Sequence, residues 1–212
     1  YLPAAVLNYL LLLGWAPEGE QEIFSLDEMI KIWDPARISK SPAIFDPLKL
    51  RAINATYIRA LPAEEFRKLA DPFIDQAVHV QIDRDLLCAN LQPRCEVLED
   101  IPPQLDFFDA VLPIDAEMYR NKKQKTTPES AKEALSALLP VLEAQTDWSR
   151  DAIFEACKQK AEAMEKKNGW LLFPLGIALS GKARTPGGGT DLAAMMGKEE
   201  TLRRLNAAIE AL

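Results

Sequence analysis

The sequence predicts an all-α protein, and three observations carry that expectation. Apolar residues recur at helical spacing, as in Leu202, Leu205, Ile209 and Leu212. Helix-start signals are dense, with Pro or an acid following Ser, Thr or Asp again and again. Strand signals are scarce.

Each expected helix has its own start or stop. Pro3 suits a first helical position, where the missing N–H would be unpaired anyway, and Gly14 stops that helix. Ser25 and Glu28 form a capping box, each side chain able to satisfy the other's free backbone N–H. Asp46-Pro47 opens a third helix running to Leu61. Pro62 with Glu64 and Glu65 opens a fourth, its acids at the positive end of the helix dipole. Residues 39–47 contain Pro42 and Pro47 and cannot be one continuous helix. From about Pro72 to Leu112 two or three further helices are expected, with apolar positions at Leu87, Leu91, Val97, Leu98 and Ile101, an interruption at Pro93, and the pair Phe107-Phe108. Residues 118–125 lack a core-forming period and read as a basic connector, with a hinge near residues 113–125. Thr127-Pro128-Glu129 restarts helix, Ser149 caps the next, Gly169 is expected to end it, and Gly197 separates the last two.

The 212 residues are 48% hydrophobic and 27% charged, an ordinary balance for a soluble globular protein with a substantial core. The longest apolar stretch, near the start, is broken by Asn8 and closed by Gly14, so it reads as a buried helix and not a membrane span. It also lacks the basic start and cleavage site of a signal peptide. The chain begins with Tyr1, not Met, and is expected to be a piece of a longer protein. Cys88, Cys95 and Cys157 have no paired spacing, which argues for buried thiols in a reducing compartment. His79 is the one histidine, so neither a zinc site nor a Ser-His-Asp triad is supported. Gly187-Gly188-Gly189 lacks the strand and the Lys-Ser/Thr of a phosphate loop and reads as a turn.

A net charge of −7 speaks against nucleic acid at face value, but the distribution is uneven. Residues 35–60 carry Arg37, Lys40, Lys49, Arg51 and Arg59 against Asp46 alone, a local balance of +4. Residues 118–125 add Arg120, Lys122, Lys123 and Lys125. Phosphate contacts are local, so an acidic protein can hold a basic stripe; a merely solvated face is the plain alternative.

Seven stretches, in this order, resemble bacterial-type glutamyl-tRNA synthetase downstream of its catalytic core: residues 1–15, 22–30, 37–50, 53–61, 91–108, 173–181 and 195–205. The resemblance implies a stem-contact helical domain (1–60) followed by two helical anticodon-binding subdomains, 61–120 and 121–212, known as a helical cage. It also answers what Ser39-Lys40-Ser41 is. The family's Lys-Met-Ser-Lys-Ser-type loop lies upstream of Tyr-Leu-Pro, and its His-Ile-Gly-His-type motif further upstream still. This triplet is therefore an unrelated one in the stem-contact region. The parent would join glutamate to tRNA(Glu) with ATP and Mg²⁺; this piece, with no catalytic residue, no cofactor and no metal ligand, is expected to give no glutamate-dependent pyrophosphate exchange.

By the same resemblance, Arg37, Lys40, Lys49, Arg51, Asn54, Tyr57 and Arg59 are candidates for the tRNA stem, with core packing the alternative for Tyr57. Arg94 matches the arginine that selects cytosine at the third anticodon base, a surface pair with Glu96 or Glu99 being the alternative. Gly176 replaces an arginine common in the family, and Arg184 or Lys182 is expected to supply the missing charge. Thr185 and Gly188 belong to the family's base-approaching turn. The implied partners are tRNA(Glu) and the catalytic Rossmann domain of the same parent, in a cytoplasmic monomer without membrane contact. Two rivals are a member that also charges tRNA(Gln) and an isolated helical protein-interaction module.

Overall fold

The computed structural model describes residues 1–40 and 42–212; Ser41, the end of the Ser-Lys-Ser triplet, lies outside the described residues. The chain is 64% helical, with two isolated bridges and no sheet among the described residues, as the sequence predicts. It divides into two compact units, residues 1–73 with 92–101 and residues 74–91 with 102–212.

The first unit contains α1 (Pro3–Gly14), α2 (Leu26–Ile32), α3 (Pro47–Ala60) and most of α4 (Ala63–Ile74). The Ser25–Glu28 capping box forms as expected, and the Asp46 carboxylate caps α3 by accepting from Leu48 and Lys49 N–H at 2.9 and 3.2 Å. α1 packs on α2 and α3 through Ala5 and Tyr9. Asn8, fully buried in mid-α1, accepts from Phe24 N–H at 2.8 Å and donates to Glu22 carbonyl at 2.7 Å. A polar group that would be costly to bury thus ties the segment returning from α1.

The second unit contains α5 (Arg84–Leu91), α6 (Pro128–Ala144), α7 (Arg150–Ala163), α8 (Asn168–Ser180), α9 (Gly189–Met196) and α10 (Lys198–Ala211). α8 is its centre, packed by α6, α7, α9 and α10. Its buried residues, including Trp170, Leu171, Leu175 and Leu179, surround the helix because neighbours lie on several sides. Gly181 ends α8 in the left-handed region, φ +68°, where a side chain would also meet the Leu112 carbonyl.

Four expectations are corrected. Between residues 75 and 112 only α5 is an α-helix; after Pro93 and Pro102-Pro103 the chain makes short 3-10 turns, since proline donates no N–H and blocks the preceding turn. Pro72 lies inside α4 and is not its boundary. Gly169 lies in the first turn of α8 instead of ending α7; the turn between the two helices is made by Glu165 at φ +54°. The connector near 113–125 is folded within the second unit: Tyr119 is 1% exposed, and Thr126 donates to its carbonyl at 2.7 Å. Tyr119 and Cys157 are both pushed up to about 12 by burial.

Sequence alone did not single out Arg204. It is 2% exposed and donates to Leu179, Phe107 and Phe108 carbonyls at 2.6, 2.7 and 2.7 Å and to Glu200 at 2.5 Å. The Glu200 carboxyl is held at about 2 by hydrogen bonds from Arg203 and then Arg204. A depressed acid stabilises the fold above its unfolded pKa, near 4.5, and that contribution fades as pH falls through about 2. Melting temperature between pH 5 and pH 2 should therefore fall less steeply in Glu200→Gln than in the parent chain. Parallel profiles would show that Glu200 carries no such linkage.

Candidate nucleic-acid interface

Folding brings acids from distant segments onto the basic stretch of residues 35–60. Arg37 pairs with Glu18 at 3.1 Å and lies over the Trp15 ring. Lys49 pairs with Glu22 at 2.6 Å, and Arg51 binds Glu96 at 2.9 Å as well as Asp100. The local balance of +4 read from the sequence is therefore largely offset in space. Lys40 is exposed, with no ion pair among the described residues, and exposed Arg59 only donates to Thr56 at 3.1 Å.

Two candidates are corrected outright. Asn54 is fully buried; its amide accepts from Leu2 N–H at 2.8 Å and donates to the Glu96 carbonyl at 2.5 Å. The Tyr57 hydroxyl lies within hydrogen-bond reach of Asn8 at 2.8 Å and of the Phe24 carbonyl. Both side chains are spent inside the unit, so neither is offered to a stem. Their shared helical face is real, but it faces inward.

Arg94 has the opposite character. It closes a short 3-10 turn, Gln92–Arg94, is exposed, and makes no hydrogen bond or ion pair among the described residues. The surface pair with Glu96 does not form, because Arg51 takes that carboxylate. The neighbouring Cys95 is 4% exposed, and burial pushes its thiol up to about 11, so the turn presents a guanidinium and hides a sulfur.

In the second unit, Gly176 on α8 faces the start of α9: a Cβ there would be 3.7 Å from Gly189 N, an ordinary contact. Gly189 itself is required, since its Cβ would fall 2.8 Å from the Leu172 carbonyl and 3.0 Å from Gly176 N. Thr185 donates to Gly187 carbonyl at 2.6 Å, and Gly188 N–H donates to Asp191 at 2.7 Å while Arg150 grips the same carboxylate at 3.0 Å. The three-glycine turn is held by these bonds. Lys182 is committed to Asp106 and to the Pro103 carbonyl. Arg184 is exposed with no partner among the described residues, so of the two stand-ins for the arginine missing at Gly176, Arg184 is the one whose charge is available.

The comparisons with known proteins fit this arrangement. A family model for the anticodon binding domain matches residues 56–209. The chain belongs to the anticodon-binding domain family. A second model, for the catalytic domain of class I tRNA synthetases for glutamate and glutamine, matches residues 1–52, so the two matches meet inside α3. Glutamate–tRNA ligases of Clostridium botulinum and Clostridium acetobutylicum are each 44% identical over the whole chain, which spans 44% of their length. Among solved structures, a glutamate–tRNA ligase of Elizabethkingia meningosepticum superposes with a TM-score of 0.86 at 30% identity, over 100% of this chain and 42% of its own. The enzyme of Elizabethkingia anophelis gives 0.79 at 29%, over 99% and 41%.

Within this anticodon-binding family member, no group of three or more His, Cys, Asp or Glu among the described residues is arranged to hold a metal ion. The His79 ring instead pairs with Asp109 at 2.5 Å. No described helix is long and apolar enough to cross a membrane.

Proposed function

We propose that this chain is the tRNA-binding portion of a glutamate–tRNA ligase, reading the anticodon of tRNA(Glu) and touching its inner stem. The observation that carries the reading is Arg94: an exposed guanidinium without a partner among the described residues, on a short turn, in a chain 44% identical throughout to such ligases. Single-stranded anticodon bases are splayed out and read on their edges, and a guanidinium suits the O2 and N3 acceptors of cytosine. Guanine presents an N–H at that edge and is refused. Arg184, Thr185 and Gly188 form a second contact beside Gly176, and Lys40 and Arg59 lead the contacts to stem phosphates. The division into residues 1–60, 61–120 and 121–212 remains part of this proposal.

The parent would attach glutamate through ATP and Mg²⁺ bound outside this chain; the described residues do not fit a metal, and no step is assigned to them. An apolar surface supports the catalytic domain as a partner in the same parent. Leu7, Leu10, Leu26, Ile30, Trp33, Ile44, Phe45 and Leu48 are all at least 47% exposed, and all lie in the stretch matched by the catalytic-domain model. A monomeric, cytoplasmic enzyme is the setting that goes with this reading.

Salt dependence tests it. Binding of a tRNA(Glu) transcript should weaken steeply with salt, and Lys40→Ala should lower the log–log slope by roughly 0.7–0.9. Lys49→Ala, whose charge Glu22 already offsets, should change the slope far less. A salt-independent interaction would favour the helical protein-interaction module. Equal affinity for tRNA(Glu) and tRNA(Gln) would favour a member that serves both.

A further inference from the structure

We infer that Arg51, which the sequence placed among the phosphate contacts, is a positioning residue that sets where Arg94 stands. The inference rests on reading Arg94 as the third-base reader. Residues 92–101 have little secondary structure of their own, two 3-10 turns separated by an extended stretch. What holds them is one side of α3 and its end. Upstream of Arg94, the Gln92 amide donates to the Ile58 and Leu61 carbonyls at 3.0 and 2.8 Å, at the C-terminal end of α3. Downstream, the Asn54 amide donates to the Glu96 carbonyl, and the Arg51 guanidinium binds both the Glu96 and Asp100 carboxylates.

Arg51, Asn54, Ile58 and Leu61 are spaced by three, four and three residues, so one helix face holds both flanks. Arg94 sits between these attachments, two residues from Gln92 and two from Glu96. A base-reading side chain loses selectivity when its Cα wanders, so rigid support beneath it matters as much as its own donors. Arg51 is the part of that support that can be removed without emptying the core. Its side chain is 32% exposed, whereas Asn54 is wholly buried. The same two carboxylates argue against a phosphate role, since an RNA phosphate would have to displace both.

The test compares Arg51→Gln, Arg51→Lys and Arg94→Gln in this chain, with three readouts. Amide exchange over residues 92–98 should quicken about tenfold in Arg51→Gln, while α6 to α10 stay unchanged. The affinity ratio between two tRNA transcripts differing only in C or G at the third anticodon base should fall about tenfold, with partial recovery in Arg51→Lys. The salt slope should not move. A lowered slope would make Arg51 a phosphate ligand and overturn the inference. So would unchanged exchange at 92–98, or faster exchange throughout the chain. Should the wild type show no C-over-G ratio at all, the Arg94 reading fails by itself, and the exchange measurement still decides whether Arg51 holds the turn.

Discussion

Arg204→Ala is expected to cost about 3–5 kcal/mol of stability, the range for breaking a buried ionic arrangement by removing one partner. The reason is a count of orphaned groups. Arg204 satisfies three backbone carbonyls, of Phe107, Phe108 and Leu179, and one carboxylate, of Glu200. Truncation strands the carbonyls where water reaches poorly and leaves a cavity beside the stacked Phe107–Phe108 pair, whose centroids are 4.5 Å apart. Lysine restores the charge but offers one compact ammonium where a planar fork spans three acceptors, so Arg204→Lys should recover only a fraction. Arg203→Ala is the control: its side chain is 63% exposed and its pair with Glu200 is a surface one. Chemical denaturation of the three variants decides the matter. A loss under about 1 kcal/mol in Arg204→Ala would mean that the carbonyls find water or each other.

Arg94→Gln should remove most of the preference for cytosine at the third anticodon base, a change of about 1–3 kcal/mol or roughly five- to 150-fold in the affinity ratio. Two features of the structure make the effect large. Arg94 is exposed without a partner among the described residues, so no ion pair with them must be broken before it meets a base. Gly176, where the resemblance implies an arginine, has no side chain to offer, and Lys182, one of the two cations expected to stand in, is held by Asp106. Glutamine both donates and accepts, so guanine and cytosine become equally acceptable. Measuring Kd for two transcripts differing at that base, in parent and variant, checks it. If the variant discriminates as well as the parent, the reader lies elsewhere, and Arg184→Ala becomes the variant to measure.

The amino-acid sequence by itself determined the all-α class, the family resemblance and most helix starts. Ser25–Glu28, Asp46, Thr127 and Ser149 all cap where their spacing says they should, because a cap is satisfied within two or three residues of its own chain. Where proline chemistry or a glycine had to be weighed against packing, as at Pro72 and Gly169, local signals pointed the wrong way. Only the tertiary structure decided which charges remain available. Arg51 and Asp100 are 49 residues apart, and nothing near Arg51 announces the acid that claims it. Arg203 and Arg204 are adjacent and identical in type, yet one is solvated and the other is 2% exposed. Ion pairing and burial are properties of positions in space, set by which helix face turns inward. That is why the sequence could name the basic residues of this protein but not say which of them stand without an ion pair among the described residues.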